Sequence, residues 1–151
     1  MTTALTGLDI LRAAAGGTAP LPPAAALLGW KLLDIEPGRI RVQYTAREEF
    51  YNPQGNIQGG FLAAMLDDAM GPALFSLLDA DQFAPTVEMK VNFLRPAVAG
   101  TLIAEGNVVH RTRSIAFLEG RLLAEDGSLL ATATATARIL AASFGDDAHG
   151  R

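Results

Sequence analysis

The order of apolar patterns along the chain predicts an α+β domain, a curved antiparallel sheet of about six strands packed on one long helix. Three observations carry that prediction. Residues 56–78, NIQGGFLAAMLDDAMGPALFSLL, form an apolar run too long for a strand and opened by a glycine pair. Four segments after it alternate apolar and polar side chains with a period of two. The last three of these are joined only by RTRS and EDGS, and connections that short force antiparallel neighbours.

Each element follows in order. Leu5 to Ala15 carries Leu5, Leu8, Leu11 and Arg12 at helical spacing, GGTAPLPP breaks it, and a second short helix is expected around Ala24 to Leu28. After Trp30, Lys31 to Ile35 reads as a strand and EPGR as a turn into RIRVQYTA. There Ile40, Val42 and Tyr44 alternate with Arg41, Gln43 and Thr45. The loop REEFYNPQGN leads into the apolar helix, expected to begin near Gly59 or Gly60 and end near Leu78. Pro72 removes a helical N–H and crowds the carbonyl of residue 68, which predicts a bend near Asp68. In PTVEMKVNFLRPA, Val87, Met89, Val91 and Phe93 share one face, with Glu88, Lys90 and Asn92 on the other. TLIAEGNVVH, IAFLEGRLLA and LLATATATARIL complete the sheet. The expected domains are a helical extension at 1–23, a single domain at 24–142, and a polar, glycine-rich tail at 143–151 expected to be unstructured.

Composition narrows the function. A chain of 151 residues, 50% hydrophobic, suits one domain with a real core. A net charge of −4 argues against a sequence-independent nucleic-acid binder, which needs a clustered positive field. With no cysteine there are no disulfides, thiolate metal sites or cysteine nucleophiles, and a cytoplasmic setting is expected. The N-terminus lacks the basic, then apolar pattern of a signal peptide. Residues 59–78 are long enough to span a bilayer, but Asp67 and Asp68 near the middle would each cost roughly 2.5–3.5 kcal/mol there. A helix apolar on nearly every face needs cover all round, so a partner subunit or the N-terminal helices must shield what one sheet cannot.

The chemistry concentrates in the apolar helix. Adjacent helical residues point about 100° apart, so at most one of Asp67 and Asp68 is expected to line a given pocket. Gly59 and Gly60 offer backbone N–H groups suited to a developing oxyanion. An acid on such a helix can equally reach solvent or a buried arginine, and glycines before helices are common. No metal-ligand spacing is present. His110 at a strand end reads as a packed or half-exposed side chain, and His149 lies in the tail.

The order Asn52, Gln58, Gly59, Gly60 and Asp67, followed by PTVEMKVNFLRPA, resembles the hotdog-fold acyl-CoA thioesterases of the phenylacetate-degradation PaaI type, over nearly the whole span from LLGW to TATARIL. The resemblance implies a long helix wrapped by a curved sheet, two subunits joined edge to edge as a homodimer or a dimer of dimers, and sites at their interface. It implies hydrolysis of acyl-CoA with no cofactor beyond the substrate's own coenzyme A. Gly59 would donate its N–H to the thioester carbonyl, and Asp67 of the neighbouring subunit would act as nucleophile or general base. Asn52 would orient water or the carbonyl, and Thr86 falls where a hydroxyl sits beside the acid.

Gln58 departs from the usual His before the glycine pair. Its amide cannot transfer protons, though it can bond a carbonyl or cap the helix. Gly60 belongs to the same substrate-binding turn. Coenzyme A needs cations, for which Arg111, Arg113 and Ser114 on the HRTRS turn are candidates, with Arg95 and Lys90 further ones. Paired basic residues on a turn are as readily explained by solvation. Asp68 is expected to be the inert neighbour, so that Asp67→Asn abolishes turnover and Asp68→Asn largely spares it. Two other readings share the fold: a non-catalytic acyl-CoA binder, suggested by Gln58, and a hydratase or dehydratase, which needs a His beside the acid.

Overall fold

The computed structural model describes residues 4–142, so the tail expected to be unstructured lies outside the described residues. Helix α1 (Gly7–Ala15) is followed by α2 (Pro23–Leu27), β1 (Lys31–Glu36) and β2 (Arg39–Ala46). A single 3₁₀ turn at Glu48–Phe50 leads to α3 (Gly59–Phe75). Then come the short β3 (Gln82–Phe83), β4 (Thr86–Phe93), β5 (Gly100–Arg111), β6 (Ile115–Ala124), β7 (Leu129–Arg138) and the short β8 (Leu140–Ala141). Six strands form one antiparallel sheet in the order β1-β2-β5-β6-β7-β4, and β3 pairs separately with β8. This is the α+β layout expected from the alternation and the hotdog arrangement that the resemblance implies.

Period-two patterning decides which face meets α3. Ile40, Val42, Tyr44 and Ala46 of β2 and Ala116, Leu118 and Leu122 of β6 are buried, while their neighbours point outward. In β7 the alternation is literal: Ala131, Ala133, Ala135 and Ala137 are buried and the intervening threonines lie on the outer face. Against this surface α3 buries Leu62, Met65, Leu66, Ala69, Met70, Ala73 and Leu74.

The helix comes unusually close to the sheet at two paired glycines. Gly106 of β5 lies opposite Gly120 of β6. A Cβ on Gly106 would stand 2.4 Å from the Ala69 carbonyl oxygen, and one on Gly120 would stand 3.1 Å from Met70 Cγ. Only hydrogen fits at Gly106, so this residue sets the distance between sheet and helix.

Helix α3 continues through Pro72, which leaves the Asp68 carbonyl without its helical N–H. It ends at Phe75, three residues before the expected Leu78, because tight turns take over: Leu77 N–H donates to the Leu74 carbonyl and Leu78 N–H to that of Phe75. Buried Ser76 fastens this end, donating to the Ala73 carbonyl at 2.7 Å and accepting from Gly38 N–H at 2.8 Å. Helix α1 docks nearby through Gly7 N–H to the Leu78 carbonyl at 3.0 Å. Its start is secured by a reciprocal Thr6–Asp9 capping box.

The apolar face expected on β4 is present, but this chain does not cover it. Val87 is 64% exposed and Phe93 54%, while Met89 and Val91 are half-buried. β4 is the last strand of the sheet, a bulge interrupts its register between Thr86 and Glu88, and its outer edge has no neighbour among the described strands.

Candidate active site

One face of α3, carrying Ala64, Asp67, Asp68, Gly71 and Pro72, lines a cavity of about 430 Å³. Ala24 and Leu28 form one wall, and Ala84, Pro85 and Thr86 the other. Small side chains at Ala24, Ala64, Gly71 and Ala84 keep it open. A larger depression of about 590 Å³ lies on the outer sheet face, lined by Arg41, Glu105, Asn107, Glu119 and Arg121 among others. There Glu105 lies between Arg41 at 3.7 Å and Arg121 at 3.4 Å, and none of the candidate residues lines it.

Both carboxylates line the same cavity, which corrects the expectation that only one could. The 100° divergence of adjacent residues holds, but the groove is wide enough to receive side chains leaning to opposite sides. Asp67 leans toward β4, where the Thr86 hydroxyl donates to its Oδ1 at 2.8 Å. Asp68 leans toward β2, where the Tyr44 hydroxyl donates to its Oδ2 at 2.7 Å. Asp68 is therefore no solvated bystander. Burial pushes its pKa up to about 6, the charge of Asp67 adds to the rise, and the Tyr44 hydrogen bond opposes it. The Tyr44 hydroxyl, fully buried beside these charges, is pushed well above its ordinary pKa, chiefly by burial. A tyrosine on the core face of β2 needs a polar partner, and that signal was present in the alternation.

The glycine pair lies at the N-terminal end of α3, about two turns before the acids. Gly59 is half-buried against the Phe93 ring and Gly60 is exposed. Among the described residues nothing accepts from either N–H, as expected for the first turn of a helix. Gln58 occupies the N-cap position with its side chain exposed and making no capping bond, so the capping role open to its amide is not taken up. Instead its backbone carbonyl accepts from Phe61 and Leu62. The Asn52 side-chain carbonyl accepts from Gln54 N–H at 3.0 Å and Asn56 N–H at 3.2 Å, closing the loop ahead of the helix. Its amide nitrogen is left as a donor, with no acceptor among the described residues.

The basic candidates divide between the two ends of the sheet. Thr86 pairs with Ala137, Ala137 with Ala116, and Ala116 with Arg111, so the turn carrying Arg111, Arg113 and Ser114 shares the sheet end of Thr86. All three turn residues are exposed, and Arg111 donates to the Leu77 carbonyl at 2.6 Å, just past the end of α3. Arg95 follows β4 at the opposite end, two residues past Phe93, and Lys90 is exposed on the outer face of β4. Exposed His110 pairs with Phe117 and does not line the cavity of the two acids. Among the described residues this leaves no histidine beside the acids, where a hydratase would need one.

Comparison with known proteins agrees with this fold. The sequence pattern of the Thioesterase superfamily matches residues 54–131, just over half of the chain. A phenylacetic acid degradation-related protein of Ralstonia eutropha JMP134 superimposes with a TM-score of 0.80 at 36% identity, covering 84% of this chain and 97% of that one. A thioesterase family protein of Silicibacter pomeroyi gives a TM-score of 0.78 at 29% identity, covering 86% and 98%. Listeria monocytogenes 1,4-dihydroxy-2-naphthoyl-CoA hydrolase is 23% identical over 109 residues, 72% of this chain and 89% of its own.

Proposed function

The chain belongs to the thioesterase superfamily as a hotdog-fold thioester hydrolase of the PaaI type, and from that premise we propose that it hydrolyses acyl-CoA with Asp67 as general base for water. The observation that carries this is Asp67 in an open cavity, one oxygen taken by Thr86 and the other left for substrate or water. In the reaction Asp67 takes a proton from water, the oxygen adds to the thioester carbonyl carbon, and the C–S bond breaks. The leaving thiolate recovers the proton.

The oxyanion donor comes from a second copy. Gly59 and Asp67 are eight residues apart on one helix, about 12 Å along its axis, too far to serve one carbonyl together. An antiparallel pairing of two β4 edges would set Thr86 opposite the partner subunit's Phe93. That brings the partner subunit's Gly59 toward this Asp67, and it would cover Val87 and Phe93. The same pairing supports a site in which Asn52 and Gln58 meet the acyl carbonyl or water, and in which Arg95, Lys90 and the Arg111–Ser114 turn surround the phosphates of coenzyme A. Among the described residues no helix is long and apolar enough to cross a membrane. A cysteine-free chain acting on coenzyme A esters suits the cytoplasm.

Thiol release over a panel of aromatic, short-chain and long-chain acyl-CoAs tests the assignment, with Asp67→Asn beside the wild type. Asp67→Asn should lower turnover by roughly 10³-fold or more. Tight binding without turnover across the panel would instead support the non-catalytic reading, which the replacement of the usual His by Gln58 keeps worth testing.

A further inference from the structure

The two carboxylates of the cavity are built alike. Each belongs to α3, and each has one oxygen held by a hydroxyl from a strand, Asp67 by Thr86 of β4 and Asp68 by Tyr44 of β2. Among the described residues each has no hydrogen-bond donor to its second oxygen. Two adjacent acids in one partly desolvated cavity do not ionise independently: the charge on one raises the proton affinity of the other.

Among the described residues the surroundings offer Asp68 no counter-charge. On its own helix the titratable neighbour is Asp67, and on the inward face of β2 it is Tyr44, beside Ile40, Val42 and Ala46. The buried faces of β5, β6 and β7 bring only alanine, leucine and glycine. Met89 and Val91 of β4, Ala24 and Leu28 beside α2, and the Ala84–Thr86 segment are likewise uncharged. Helix α1 reaches α3 at its far end, through Gly7 against Phe75.

We infer that Asp68, clamped by the Tyr44 hydroxyl in the wall it shares with Asp67, is a positioning residue whose proton sets the strength of Asp67 as a base. This rests on the proposed role of Asp67. When Asp68 is neutral, Asp67 acts without a charged neighbour. When Asp68 releases its proton to solvent, a second negative charge stands in the wall beside Asp67 and favours movement of a proton from water into the pair. The Asp68 proton enters neither substrate nor product; it is exchanged with solvent, while the catalytic proton passes from water to Asp67 and on to the thiolate.

Turnover therefore rises with pH through the titration of Asp68, near pH 6, and levels off above it. The Tyr44 hydrogen bond favours the ionised form, so its loss moves the step upward in pH. The test is the pH dependence of kcat for the full-length protein with saturating phenylacetyl-CoA, in wild type, Asp68→Asn and Tyr44→Phe. Asp68→Asn should lose the step and run roughly three- to tenfold slower than wild type above pH 7. Tyr44→Phe should keep the step at higher pH. A merely structural role would lower both variants uniformly without moving the inflection.

Carboxyl ¹³C titration of aspartate-labelled protein reads the same coupling without turnover. The signal missing in Asp68→Asn should titrate near pH 6, higher in Tyr44→Phe and lower in Asp67→Asn. An unchanged step in Asp68→Asn, or an Asp68 titration indifferent to both Tyr44→Phe and Asp67→Asn, overturns the inference while leaving the thioesterase assignment standing. Absence of thiol release from every ester would refute the assignment instead, and the titrations would still decide the coupling.

Discussion

Replacing Gly106 by alanine tests whether the sheet-to-helix spacing positions the acids. The added Cβ would lie 2.4 Å from the Ala69 carbonyl oxygen and 2.7 Å from its carbon, where ordinary contact begins at 3.4 Å. Helix and sheet must therefore part by about 1 Å, and the obstacle is backbone, which cannot rotate away as a side chain can. Overpacking of this kind costs about 1–3 kcal/mol, and the backbone clash places this case near 3. For a domain of this size that lowers the melting midpoint by roughly 6–12 °C. Ala69 directly follows Asp67 and Asp68, so the displacement reaches the site, where about 1 Å of misplacement costs on the order of 10²-fold in rate. Thermal and urea unfolding at one fixed protein concentration, with thiol release on the same samples, measure both effects. Gly60→Ala is the stability control: nothing lies within 4 Å of its Cβ, and it should change stability by less than about 0.5 kcal/mol. A Gly106→Ala protein that melts within about 1 °C of wild type and keeps its turnover would refute the argument.

Thr86→Val removes the hydroxyl that fixes Asp67 Oδ1 and should cost roughly ten- to a hundredfold in kcat with little change in KM, read by steady-state kinetics. Leu66→Ala, at a fully buried position against the sheet, should destabilise by about 3 kcal/mol in urea unfolding. Asp68 binds its proton more tightly folded than unfolded, so its contribution to stability is complete below about pH 4 and is lost as the pH rises through about 6. Asp68→Asn should therefore gain about 2 kcal/mol relative to wild type between pH 4 and pH 7, and a pH-independent difference would contradict the buried acid. Asp9 and Asp126 act with the opposite sign. Their carboxyls are held below the usual range by hydrogen bonds from Thr6 and Ser128, so their contribution is lost as pH falls.

Periodicity made the strands readable because one face of each is buried and the other wet, and that contrast is strongest in β2, β6 and β7. It was weakest where a face has no cover in this chain. Val87 and Phe93 alternate like core residues yet stand exposed, because burial on an edge strand depends on what lies beyond the edge. The end of α3 was misplaced by three residues because Leu77 and Leu78 are as apolar as the helix itself. What stops the helix is a long-range tie from Ser76 to Gly38, which local propensity does not contain. Gln58 offers the converse lesson: its position before the glycines was plain, but its side chain turns to solvent and the carbonyl does the work at the helix start.

By itself the sequence determined the α+β class, the helix that carries the acids, and the likeness that singles out Asp67, Gly59 and Thr86. These are properties of local pattern and of residues close in the chain. Only the tertiary structure decided that Asp68 shares the cavity, that Tyr44 holds it, and that α3 lies against the sheet at Gly106. Each of these depends on contacts between segments distant in sequence: β2 against α3, β4 against α3, and α3 against the glycine pair of β5 and β6. Adjacent residues on a helix diverge by a fixed angle, but whether they diverge into one groove or into two is set by how far apart the walls stand.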